Sequence, residues 1–491
     1  MIFNASNAFP SSHRGRYIRA KQFTIESKGA VMKSSDSYGT VVTFRDPGSL
    51  AAWNGAMNAH AIFTGDPGSL IAATDDDPEF ALGLVYRVAM QLRGGMPVGP
   101  ELRELLARAD ALAPSVSASE KLHIEAVQLM AAGETSRAGD KWNAILRAWP
   151  HDFLALKLSH DAFFLRGDID SMLASSRAQV GRLKPDAPSR HVALAQLAFA
   201  LEESGEFEAA EHAAKEALSI EERDCWALHC LAHVYESEGR HAENLAFLES
   251  YAPIWRKQNM LDPHIWWHLA LRYIECGEHD QALTVFDEQL SRIDAANAWR
   301  LTDATSLLWR LELADIATGD RWRAVALKWA GHAARHQNAF LNVHAAMAFS
   351  HVPDLPEAVA FFRTLTFASD GEASERAAIF RNVAQPLAEA LRLYVNDAAA
   401  AAGPLLAIMP GLSDIGGSRV QRDLVERTCS AALLAAGDYD GCQRFLDARQ
   451  GERPTSAWIL SHRAVLARSS GDGAAAARFT RQAQEMTRKS V

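Results

Sequence analysis

The sequence predicts an all-α fold, a solenoid of stacked helix pairs, on three observations. Turn glycines fall at Gly133, Gly167, Gly205, Gly239, Gly277 and Gly319, at intervals of 34, 38, 34, 38 and 42 residues, and Gly437 and Gly471 are again 34 apart. Ala126, Ala198, Ala232 and Ala270 each stand seven residues before a turn glycine, where neighbouring helices must approach closely. Hydrophobic content is 48%, with Ala, Leu, Arg and Glu in excess and few β-branched runs, a bias toward helices throughout. One helix pair cannot bury its own apolar face, so pairs of this kind stack into a continuous core.

In chain order, residues 1–45 are rich in Ser, Arg and Lys without a sustained helical period. They read as a disordered or loosely attached arm, with Met32 an alternative start. The body is a single solenoid over residues 46–491. It opens with short helices after Pro47 and a longer one after Asp77, which the spacing makes an N-cap with Pro78 at the first helical position. The clearest repeats span 116–336. Residues 337–436 keep the helical period and lose the clean spacing, as degenerate repeats would. The C-terminal repeats occupy 418–488, where Ser418 and Gln421 form a capping box that starts a helix after the loop AIMPGLSDIGGS.

Finer spacing supports the pairs. Ala138, Trp142 and Pro150 stand 5, 9 and 17 residues after Gly133, Ala282 and Phe286 repeat the first two offsets after Gly277, and Leu82-Gly83-x-x-Tyr86 fits a first helix. This pattern resembles the tetratricopeptide repeat. EKLHIEAVQLMAAG, LALKLSHDAFF, AFALEESGEFEAAE, HIWWHLAL, DATSLLWRLEL and IGGSRVQRD, in that order, resemble the tetratricopeptide repeat protein 38 family over roughly residues 50 to 485. The resemblance implies a right-handed, all-helical, cytosolic superhelix. It carries over no reaction and no catalytic residue.

In arrays of this kind the first helix of each pair lines a concave groove. With each turn glycine as position 15, the resemblance places His123 and His229 at groove position 5, Asp161 and His233 at 9, Glu202 and Glu236 at 12, and His264 and His268 at 2 and 6. Trp267, beside Trp266, reads as an aromatic wall or as repeat core. Asp303 and Arg310 share a helix face, where Arg310 holds either a ligand carboxylate or an ion pair. His160 stands where flanking repeats have alanine, which predicts a ring held by hydrogen bonds, since burial without them costs about 1 to 3 kcal/mol.

The two pairs His229/His233 and His264/His268 are each spaced i, i+4, which sets both imidazoles of a pair on one helix face. Consecutive first helices lie about 10 Å apart, so four imidazoles can meet and hold a divalent metal such as Zn, Fe or Mn, with nearby carboxylates completing or orienting the set. An open position on such an ion activates water or polarises a carbonyl. Two functional classes follow: a scaffold whose His/Asp/Glu/Trp-lined groove grips a peptide or small molecule, and a metal-dependent enzyme, hydrolase- or oxygenase-like, built on the same scaffold.

Other classes are disfavoured. A formal charge of -10 and no Lys/Arg-rich stripe argue against nucleic acid. No apolar run of about 18 residues suggests a membrane span. The five cysteines form no CxxC and sit in apolar helical patterns, as buried residues of a reducing, cytoplasmic compartment do. HExxH, GxSxG, P-loop and Rossmann fingerprints are absent from the sequence.

Overall fold

The computed structural model describes residues 30–489 apart from 65–67, 257–259, 366–372 and 453–456. From Pro47–Ala61 to Gly473–Lys489 the chain is a succession of α-helices with short 3-10 segments, and the only strands among the described residues are Met32–Ser35 and Val41–Phe44. Successive helices pack as antiparallel pairs: Ala118–Ala131 with Thr135–Ala148, Arg190–Glu203 with Phe207–Ile220, Asp262–Glu275 with His279–Glu288, and Ala457–Ser469 with Gly473–Lys489. The fold is thus an all-α, tetratricopeptide-like solenoid. The eight turn glycines all adopt positive φ, between 58° and 84°, the conformation in which a residue without Cβ ends one helix and starts the next. At Gly167 the constraint is double, because a Cβ there would meet the Ser413 carbonyl oxygen at 2.0 Å.

The start of the body lies earlier than the sequence suggests. Residues 1–29 lie outside the described residues, but Met32–Ser35 and Val41–Phe44 pair as an antiparallel hairpin. Val42 and Phe44 are buried in the same apolar cluster as Trp53, Leu82 and Phe153. Thr43 donates its backbone N–H and its hydroxyl to the two carboxylate oxygens of Glu120 at 2.7 and 2.6 Å. The hairpin is an integral element and not part of an arm. Asp77 also does something other than cap: the following helix begins at Ala81, and the Asp77 carboxylate instead accepts from the backbone N–H groups of Arg45 and Asp46 and from the Ser49 hydroxyl. It ties the hairpin exit to the first helices.

The concave face is filled. Ala298–Leu313 packs on Arg419–Ala435 through Arg310, whose guanidinium reaches Asp423 at 2.8 Å and the Val420 carbonyl at 2.7 Å, and through Trp309, which donates to the Thr428 hydroxyl at 2.9 Å. Further bonds cross the interior: Ser136 to Glu375, Arg166 to Glu375, the Arg419 N–H to Glu203, and Trp299 to the Arg93 carbonyl. The solenoid therefore curls back on itself. The expected open groove is replaced by a polar and apolar core, and the surface clefts lined by Gly94, Trp329 and Asn342 or by Met96, Arg376 and Asp414 contain none of the predicted site residues.

Candidate metal centre

Two helices build the centre. Cys225–Ser237 starts at Asp224, whose side chain accepts from the N–H groups of Trp226 and Ala227, an N-cap that fixes the register of the helix. Asp262–Glu275 starts with Pro263 in its first turn. The two helices bring His229, His233, His264 and His268 together, with one ring nitrogen of each within 4.8 Å of the others. Ring centroids are 4.3 Å apart for His229 and His233, 4.6 Å for His233 and His268, and 4.8 Å for both His229–His264 and His264–His268. A metal about 2.1 Å from four nitrogens in a tetrahedron needs those nitrogens about 3.4 Å apart, so the widest separation allowed by the 4.8 Å limit would close by about 1.4 Å.

Each of three rings is turned by a carboxylate on its Nδ1. His233 meets Glu202 at 3.3 Å, His264 meets Asp303 at 2.8 Å, and His268 meets Glu236 at 2.9 Å. A carboxylate accepts, so Nδ1 carries the proton and Nε2 presents a lone pair; the outer partner of a metal-bound imidazole works in this way. Nε2 of His233, Nε2 of His268 and both nitrogens of His229 are buried without a hydrogen-bond partner. Burial first, and then the neighbouring imidazoles, push the basicity of His229 and His268 well below the ordinary histidine value, which keeps them as neutral lone-pair donors. Several buried acceptors facing one another unsatisfied cost about 1 to 3 kcal/mol each, and a cation among them removes that cost.

The centre is walled, with one side less covered. His229, His233 and His268 are buried, whereas the His264 side chain retains 15% exposure. Trp267 is fully buried and stacks on His264 at 5.1 Å with 14° between planes. It backs the centre and faces no groove. Glu202 also accepts from the Ser237 hydroxyl at 2.8 Å, which holds its carboxylate in place.

The remaining predicted residues divide differently from expectation. His123 does not line a groove: it is buried and brackets the Asp152 carboxylate at 3.0 and 3.1 Å, while Asp152 caps the next helix by accepting from the Ala155 N–H. Arg310 makes the inter-repeat ion pair with Asp423 and is buried, because the C-terminal helices occupy the place of a ligand. Asp161 pairs with Arg93 at 3.1 Å. His160, expected to be hydrogen-bonded, has neither ring nitrogen bonded and instead sets its edge against Phe199 and Trp226. Lys157 and His60, both buried, were not singled out by sequence. Lys157 lies one turn before Asp161, and that spacing was the available signal.

The fold and centre together define a tetratricopeptide-like repeat protein with a histidine cluster in its core. No family model matches the chain. Among solved structures it is similar to the TPR domain of P58(IPK), at 15% identity over 76% of this chain and 96% of that one, with a TM-score of 0.21. A superposition that loose bears no weight, and the architecture rests on the helix pairs themselves.

Proposed function

We propose that this chain is a transition-metal protein on a repeat scaffold, the ion held by His229, His233, His264 and His268, and that the ion acts on a small molecule entering beside His264. The observation that carries this reading is the convergence of three carboxylate-oriented imidazoles, with His229 as a fourth. Neutral imidazole donors suit Zn or Fe better than Mn. Such an ion supplies Lewis acidity, activating water or polarising a carbonyl. A peptide would need a continuous open face, whereas His123, Glu202, Trp267 and Arg310 are buried. The motif order shared with the tetratricopeptide repeat protein 38 family supports membership of it, and five buried free cysteines suit a cytoplasmic setting.

Elemental analysis of the full chain purified without chelators tests the centre. About one ion per chain is expected. Protein that stays metal-free after addition of Zn, Fe and Mn refutes it.

A further inference from the structure

Four helices supply the imidazoles of the centre and the carboxylates that turn them: Arg190–Glu203 with Glu202, Cys225–Ser237 with His229, His233 and Glu236, Asp262–Glu275 with His264 and His268, and Ala298–Leu313 with Asp303. Arg419–Ala435, from far along the chain, holds three of them. Glu203, next to Glu202, accepts the Arg419 N–H at 2.7 and 3.0 Å and meets the Arg422 guanidinium at 3.4 Å. Glu275 pairs with Arg427 at 2.6 Å, and Arg310 pairs with Asp423 at 2.8 Å. Asp423 also accepts from Arg427 at 2.6 Å, which joins these contacts into one network.

The attachment points coincide with the residues that shape the centre. Glu275 follows His268 by seven residues, and Arg310 follows Asp303 by seven, two turns along the same helix face in both cases. The paired side chains are at most 14% exposed, so solvent and salt screen the contacts little. Rotating a helix by about 10° moves a side-chain atom about 5 Å from its axis by about 0.9 Å. That displacement is of the same order as the closure that four nitrogens need to share one ion. A contact that fixes the rotation of a framing helix therefore also fixes where its imidazole or carboxylate lies.

Resting on the reading of the four histidines as a metal centre, we propose that Arg419–Ala435 is a clamp on that centre, with Arg422, Asp423 and Arg427 as positioning residues acting through Glu203, Arg310 and Glu275. Metal binding and docking of this helix then reinforce one another by the same factor in both directions. A second seam closes the solenoid without reaching the centre. Ser136 and Arg166 bind Glu375, and the helices that carry them, Thr135–Ala148, Phe153–Arg166 and Glu375–Ile379, hold none of the donors. That seam separates a clamp from closure in general.

The test is a zinc competition titration of the full chain, with the ligand-field absorption of the Co(II)-substituted protein as a signature of four-coordination. Glu203→Gln keeps the shape facing Arg422 and drops the charge. Glu275→Gln with Arg427→Gln removes the pair without leaving a buried charge alone, while Asp423 keeps Arg310 and Arg449. Each should weaken zinc about tenfold and lower the Co(II) absorption, with circular dichroism verifying the fold. Arg166→Gln with Glu375→Gln should stay within about twofold of wild type. In wild type, which needs no variant, zinc should slow amide exchange in Arg419–Ala435 more than in Pro356–Leu365. Unchanged zinc affinity and Co(II) absorption in both clamp variants, an equal loss in the comparison variant, or exchange in Arg419–Ala435 indifferent to zinc overturns the clamp alone. Wild-type protein that binds no zinc refutes the metal reading itself, and the clamp with it.

Discussion

Two sets of buried histidine–carboxylate contacts stand side by side in this molecule and do different work. In the first set, His123 binds Asp152 and His191 binds Asp224, and each aspartate is a helix N-cap that also accepts backbone N–H groups. In the second, Glu202, Glu236 and Asp303 sit within helices, where a carboxylate has no orphan N–H to satisfy, and each turns one imidazole. The first histidines brace caps. The second present their far nitrogens to one another. A buried histidine–carboxylate pair is thus informative only once the other obligations of the carboxylate are known.

The largest contrast should appear in metal content. His229→Ala with His268→Ala removes two of four donors and should abolish stoichiometric metal by elemental analysis while helical circular dichroism stays near wild type. His123→Ala should leave metal content unchanged. Loss of metal in the latter would dissolve the distinction between the two sets.

Stability should show the opposite order. Asp152→Ala removes a cap and strands buried His123, at a cost of about 3 kcal/mol in chemical denaturation. Burial raises the Asp152 carboxyl, but the charge and hydrogen bond of His123, the Ala155 N–H and the Ser119 hydroxyl outweigh it and hold the carboxyl below its ordinary range. Its contribution is therefore complete above about pH 4 and is lost as pH falls through the lowered value. Asp152→Asn should flatten that acid limb; an unchanged limb would locate the acid sensitivity elsewhere.

A smaller effect should follow from the orienting carboxylates. Glu236→Gln keeps the shape beside His268 and should weaken the metal about 10- to 100-fold, as loss of an outer partner does, with little change in metal-free stability. Equal affinity in a competition titration would show that Glu236 does not set the ring. Smallest of all, Thr43→Val at the hairpin should cost about 1 kcal/mol and leave the metal untouched. Cleavage between residues 32 and 45 ahead of global unfolding would return the hairpin to the status of an arm.

The histidine cluster was legible because helical spacing and the repeat interval are both local periodicities: i, i+4 sets the face, and the glycine interval sets the neighbour. Glu202 and Glu236 were placed near the groove by the same frame and Asp303 by the helix face it shares with Arg310, but which ring each would turn depends on side-chain direction and was not legible. The burial of Arg310 was invisible because its partner Asp423 is 113 residues away, and no period in residues 337–436 announces that those helices return to the concave face. The hairpin escaped because Met32–Ser35 and Val41–Phe44 are four residues each, too short for alternation to stand out against a polar context. His160 misled because the rule that a buried ring finds a hydrogen bond has exceptions, and here the ring is packed edge-on against Phe199 and Trp226 instead.

The Arg310–Asp423 contact, with Asp423 also paired to Arg427 and Arg449, has a consequence for how such a chain can change. An open solenoid adds or drops a repeat at little cost, because each unit touches only its neighbours. Here the two ends of that span are bolted together, so one inserted helix pair anywhere between Arg310 and Asp423 would pull the bolt out of register. The number of units in that arc is fixed by the closure, whatever drift the sequence of those units has undergone.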